Sequence, residues 1–336
     1  MKIDIFTHIL PEKYFRKLLE RAPSGFHMEK RVKGVPALTN LEERFKVMDR
    51  FGDYAQVVTL VAPPLEVAAA PQDTPELARI ANDEMAELVT KYPDRFVAGV
   101  ACLPLNNIEA AIKELDRAVK ELKMDGIQVY TDINGSPLDR PEFSFLFEKM
   151  AEYDLPIWLH PNRGVNVADY RTENKSRFDV WAILGWPYET SVAMIRIIFS
   201  GILDKFPNLK IVTHHLGGMI PYFGERIRGG YENFGTRTDE DAQGILAKLK
   251  KPPYEYLKLF YADTAIFGSV PALDCAFRFF GPERTLFGTD MPFDPDQGYR
   301  KIHRTIEGIE GMNVGPEDKK RIYELNAKKL LRRKAR

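Results

Sequence analysis

The feature that most constrains the fold is a recurrence. Eight short runs rich in Val, Ile and Phe, nearly unbroken in hydrophobicity, alternate with amphipathic stretches along the chain. They are Lys2–His8, Ala55–Leu60, Phe96–Leu103, Gly126–Tyr130, Pro156–His160, Lys210–His215, Lys258–Asp263 and Thr285–Asp290. Unbroken apolarity suits a parallel strand covered on both faces, whereas a strand with one wet face alternates. The stretches between them carry helix signals. Thr74-Pro75-Glu76 predicts a helix start, with Thr74 as N-cap and Pro75 at the first helical position. Asn107–Leu122 places Ile108, Ala111, Ile112, Leu115 and Val119 on one helical stripe. Thr190–Asp204 and Pro316–Leu331 read similarly. Eight strand–helix units between residues 2 and 290 predict an α/β chain folded as a (β/α)8 TIM barrel rather than two doubly wound domains. No Gly/Ser-rich or single-charge linker interrupts them, so residues 1–336 are expected to form one domain.

Two long insertions follow strands in this scheme. Arg21–Asn40, after strand one, carries Pro, Gly, His27 and several basic residues. Asn162–Pro187, after strand five, contains Trp181 and Trp186. Loops that follow barrel strands lie on the C-terminal face, where active sites are built.

Charge and composition narrow the partners. Lys+Arg and Asp+Glu both number 48, so no net field recruits nucleic acid or a membrane surface. The run Ile3–Leu10 carries Asp4 and His8 and meets Pro11-Glu12-Lys13, which predicts no secretion signal. No run reaches the roughly 18 apolar residues of a membrane span. Two distant cysteines, Cys102 and Cys275, fit a reducing compartment. The expectation is a soluble, cytoplasmic protein.

Four of the six histidines, His8, His160, His214 and His215, fall at the ends of predicted strands one, five and six, and Asp290 ends strand eight. In a barrel those ends converge on one cavity. Polar groups there need partners, and imidazole with carboxylate is the donor set of a catalytic divalent ion.

Several motifs carry a resemblance. They are D-I-F-T-H-I-L-P at the start, L-P-I-W-L-H-P at Leu155–Pro161, G-W-P-Y-E-T-S at Gly185–Ser191 and F-P-N-L-K-I-V-T-H-H-L-G-G at Phe206–Gly218. F-G-T-D-M-P-F at Phe287–Phe293 and L-N-A-K-K-L-L near the end complete the set. In this order the chain resembles the amidohydrolase superfamily, in the branch of aminocarboxymuconate-semialdehyde and resorcylate-type decarboxylases. The resemblance implies metal ligands at His160 and Asp290, with Asp290 also taking part in proton transfer. It implies an acid/base histidine before the Gly-Gly pair, best matched by His215. Adjacent residues in a strand face opposite sides, so His215 is expected in the barrel and His214 among the helices.

Strand one departs from the family pattern, which often reads H-x-H. Phe6 stands where the first histidine would be, and residues 6 and 8 share a strand face, so Phe6 is expected to point into the site without binding an ion. The expected ligand set is His8, His160 and Asp290, enough for a catalytic zinc with water, with manganese as the second candidate. Strand four ends G-I-Q-V-Y, without the lysine that bridges two ions in binuclear relatives, so one ion and no organic cofactor is expected.

Asn162 and Arg163, directly after His160, are candidate contacts to a carboxylic acid substrate, since a guanidinium grips both carboxylate oxygens. Trp186 could stack on a planar substrate, Phe6 could shape its pocket, and Arg31 is a weaker anion contact. The leading expectation is a decarboxylase of an aromatic or unsaturated carboxylic acid, in which His215, its imidazole near neutrality, lies across the cavity from Asp290 and protonates carbon. The alternative is hydrolysis of a lactone, ester or amide on the same barrel. A third reading, a binding protein on an old enzyme scaffold, rests on Phe6 alone. The family is commonly dimeric or tetrameric, which is the expectation for assembly.

Overall fold

A computed structural model describes residues 1–21 and 29–332. His27 lies outside the described residues. Eight parallel strands form one sheet in sequential order. They are β1 (Lys2–Ile9), β2 (Tyr54–Leu60), β3 (Phe96–Ala101), β4 (Gly126–Tyr130), β5 (Ile157–His160), β6 (Ile211–Thr213), β7 (Tyr261–Asp263) and β8 (Thr285–Leu286). The last strand returns to the first. Ile5 N–H donates to the Phe287 carbonyl at 2.8 Å, His8 N–H to Met291 O at 2.9 Å and Asp290 N–H to Phe6 O at 3.2 Å, which closes the barrel.

The strands exist where the apolar runs predict them, but three end early. Regular pairing stops at Thr213 in β6, at Leu286 in β8 and at Ala101 in β3, although each apolar run continues. The chain beyond β8 is held instead by rim hydrogen bonds to β1.

Apolar side chains fill the barrel. Ile3, Ile5, Phe6, Val57, Val100, Trp158, Val212 and Leu286 form one buried cluster. Trp158 spans the interior, its indole N–H donating to the Ile5 carbonyl of the opposite strand at 2.8 Å. Gly126 makes room for it, because a Cβ there would lie 2.4 Å from the indole ring. A larger cluster packs the outer strand faces against the helices. That double coverage accounts for the unbroken apolarity of the strand sequences.

The helix signals hold with local adjustments. The helix Thr74–Lys91 starts one residue earlier than expected, with Asp73 at its N-cap position, and the Thr74 hydroxyl donates to Asn106 Oδ1 at 2.6 Å instead of capping. Asn107 caps Ile108–Lys120 by accepting from Ala110 N–H. Gly201, at φ +75°, separates Gly185–Phe199 from Ile202–Lys205. Among the described residues no helix is long and apolar enough to cross a membrane. Both cysteines are free thiols.

Candidate metal centre and active site

Three imidazoles meet above Phe6 at the C-terminal end of the barrel. The buried rings of His8, His160 and His214 offer ligating nitrogens that lie within 4.8 Å of one another. Each ring has its Nδ1 engaged elsewhere. The Thr59 hydroxyl gives its proton to the Thr7 carbonyl, so it accepts from His8 Nδ1–H at 3.0 Å. A carbonyl can only accept, so His160 Nδ1 donates to Pro161 O at 2.7 Å. His214 Nδ1 donates to Asp263 Oδ2 in a short contact, with both residues fully buried. That pattern leaves the three Nε2 atoms to face the centre.

Asp290 faces them. Its Oδ1 lies 3.2 Å from His8 Nε2 and 3.5 Å from His214 Nε2, and its Oδ2 lies 4.0 Å from His215 Nε2. A lone pair and a carboxylate oxygen this close need a proton or a cation between them. Buried Lys301 donates its ammonium to Oδ2 on the other side of the carboxylate. Burial alone would raise the Asp290 pKa, but Lys301 and the imidazoles of His214, His215 and His8 hold it well below the usual carboxylate range. Burial lowers His8 against the pull of Asp290, and burial with the neighbouring imidazoles holds His160 far below neutrality. These rings are neutral and keep their lone pairs. His214 differs: burial opposes its charge, but Asp263 and Asp290 raise it to about 9. Among the described residues, His214 Nε2 nevertheless has no hydrogen-bond partner. Neutral imidazoles, an ionised carboxylate and an orphaned buried nitrogen together fit a divalent cation.

The end of β6 departs from expectation. His214 was placed among the helices by strand alternation, yet its ring stacks on Phe6 at 4.0 Å and 22°, inside the site. Alternation fails because β6 stops at Thr213. From His215 to Gly218 the backbone is left-handed, with φ of +53°, +58°, +73° and +63°. This turn brings both imidazoles to one side, their centroids 3.8 Å apart. His215 is accordingly beside Asp290 rather than across the cavity from it. Its pKa also differs from the expected near-neutral value: burial, then the neighbouring His214, lower it to about 4. Trp186 stacks over the ring at 6.1 Å and 14°.

Phe6 is fully buried, 5.6 Å from the His8 ring and 5.9 Å from His160, so residues 6 and 8 do share a face. The other candidate contacts are already engaged. Asn162 Nδ2 donates to Asp132 Oδ2 at 3.0 Å, and Arg163 Nη1 donates to Glu189 Oε1 at 2.6 Å. Trp186 donates its indole N–H to the Arg163 carbonyl at 3.3 Å and meets His160 edge-on. Arg31 lies over the Phe293 ring at 4.9 Å.

Three supporting residues were not singled out from the sequence. Asp263 ends a predicted strand, so the reasoning that marked Asp290 could have found it. Lys301 sits within the helix Tyr299–Glu310, where nothing in the spacing points to the site. Arg44, fully buried, donates to His8 O at 2.7 Å, Gln56 Oε1 at 2.7 Å and Thr7 Oγ1 at 3.0 Å, fixing the end of β1.

Known proteins share this arrangement of chain. The gamma-resorcylate decarboxylase of Polaromonas sp. JS666 is 32% identical over 301 residues, covering 87% of each chain. The 2-amino-3-carboxymuconate-6-semialdehyde decarboxylase of Dictyostelium discoideum is 30% identical over 311 residues, covering 87% of this chain and 82% of the relative. A crystal structure of a dihydroxybenzoic acid decarboxylase from Polaromonas sp. JS666, with bound manganese and the inhibitor 2-nitroresorcinol, superposes with a TM-score of 0.80 at 28% identity, covering 98% of this chain and 96% of that one. The amidohydrolase family pattern matches residues 3–333, and the chain belongs to that family.

Proposed function

We propose that the protein is a metal-dependent carboxy-lyase that releases carbon dioxide from an aromatic or unsaturated carboxylic acid without an organic cofactor. The observation that carries this reading is the convergence of buried imidazoles and ionised Asp290 beside a further, stacked histidine, His215. The similarity to decarboxylases of hydroxylated benzoic acids supports the same chemistry.

His8, His160 and Asp290 would hold one divalent ion. Manganese is the first choice, ahead of the zinc that the nitrogen-rich donor set suggests, because the similar Polaromonas enzyme carries manganese. When bound, such an ion supplies a Lewis acid that holds substrate oxygen and stabilises negative charge in the transition state.

The remaining work falls to side chains. Trp186 and Phe6 bound the site with aromatic surface suited to a planar acid. Asn162 and Arg163, tied to Asp132 and Glu189, shape the loop over it, and Arg163 reaches a substrate carboxylate only by leaving Glu189. As the bond to the carboxylate carbon breaks, its electron pair stays on the substrate and must take a proton. The position of His215 beside Asp290, at 4.0 Å, supports assigning the delivery to it. The imidazole is neutral at rest, so the proton is one it first takes up from a substrate hydroxyl or water.

A panel of hydroxylated benzoic acids and muconate-type acids, assayed for carbon dioxide release with manganese present, tests the reading. Release from at least one member is expected. Ring opening of a lactone with every carbon retained, and no release from any acid, would overturn it.

A further inference from the structure

We propose that His214 is itself a metal ligand and occupies the coordination position that Phe6 leaves without a donor. The inference rests on the proposed divalent ion in this site and adds a fourth protein ligand, supplied from just past the end of β6 instead of from position 6 of β1.

Three observations carry it. The first is orientation. Asp263 holds His214 by Nδ1, and Asp263 is itself fixed by accepting from Leu216 N–H at 3.2 Å and Ala265 N–H at 3.0 Å. A carboxylate behind one ring nitrogen is the arrangement that aims the other at a metal. The second is an unmet need. His214 Nε2 is buried, has no hydrogen-bond partner among the described residues and faces Asp290 Oδ1 at 3.5 Å. A fully buried polar atom without a partner is costly, and a cation in the shared space would satisfy both groups. The third is distance. Ligand atoms each about 2.1 Å from one ion lie roughly 3–4 Å apart, and the ligating nitrogens of His8, His160 and His214 lie within 4.8 Å of one another.

Phe6 completes the case. Its ring lies flat against His214 at 4.0 Å, so the residue that lacks a donor supports the imidazole that has one. Loss on one strand and gain on another meet in a single aromatic contact. With His214 bound to the ion, His215 stays free under Trp186 to carry the proton.

The test uses full-length protein loaded with Mn2+ and reads metal binding directly. Pulsed electron paramagnetic resonance of the wild-type protein should count three coordinated imidazoles, and a count of two would overturn the inference without any mutation. His214→Gln should weaken Mn2+ binding on the order of 100-fold, and Asp263→Asn by about 10–100-fold. Adding Phe6→His to His214→Gln should return most of the affinity. A folded His214→Gln variant with unchanged Mn2+ affinity would overturn the inference and leave the carboxy-lyase reading standing. Wild-type protein that binds no Mn2+, Zn2+ or other divalent ion would overturn both.

Discussion

Lys301 donates its ammonium to Oδ2 of Asp290, so one largely enclosed carboxylate is neutralised from the helix side while its other oxygen faces the imidazoles. A buried carboxylate stripped of its cation is expensive. Lys301→Met should therefore destabilise metal-free protein by about 3–5 kcal/mol. The loss should shrink when manganese is present, because the ion supplies the missing positive charge. Urea unfolding with chelator and with Mn2+ measures both values, and equal losses in the two conditions would contradict the role given to Lys301.

His215→Asn should lower turnover by ~10²–10⁴ while the protein keeps its metal, since the residue is assigned to proton delivery and not to coordination. His160→Asn should lose both. Metal analysis of each purified variant beside its rate separates the two roles, and metal loss in His215→Asn would move that residue into the ligand set.

Arg44 gives its guanidinium to acceptors on both sides of β1, including the His8 and Ala37 carbonyls. Arg44→Met leaves buried acceptors unpaired and should cost about 3 kcal/mol or more. Arg44→Lys should recover little, because an ammonium cannot span the same fork of partners. Full recovery of the unfolding midpoint by lysine would show that charge alone matters at this position.

Glu66, buried beside β2 with Oε1 unpartnered, is pushed by burial from 4.5 up to about 8. Its folded form therefore keeps a proton that the unfolded chain releases earlier as pH rises. Stability contributed by this group is full in acid and falls across the window between those two values, by up to about 1.4 kcal/mol per pH unit, then levels off. Glu66→Gln should remove that slope and be the more stable form near pH 8. Parallel stability–pH curves for the variant and wild type would refute the assignment.

The barrel was legible because parallel strands buried on both faces leave long apolar runs, and helices between them leave stripes. The site was legible in part: His8 and His160 sit at strand ends, and Asp290, past the end of β8, is brought to the same place by its amide bond to Phe6 O. What escaped were the consequences of where pairing stops. The rule that placed His214 outside assumes a strand through residue 215, and no apolar count reveals that the ladder ends at Thr213. Lys301 escaped for a different reason: a helix position chosen by tertiary reach has no local signature. The pairing of Arg163 with Glu189 was equally hidden, because sequence shows an arginine but not what already holds it.

The left-handed run from His215 to Gly218 decides how many side chains this corner gives to the cavity. It lies past the last rung of β6, so its course is set by two glycines and by Asp263 receiving the Leu216 amide. The course of this short rim peptide is therefore separate from the strand pairing of the barrel beneath it. Two successive side chains are presented to the same cavity, where a continuing strand would have presented one. A doubled histidine at this place gives one cavity two imidazoles in different surroundings, one flat against Phe6 and one under Trp186.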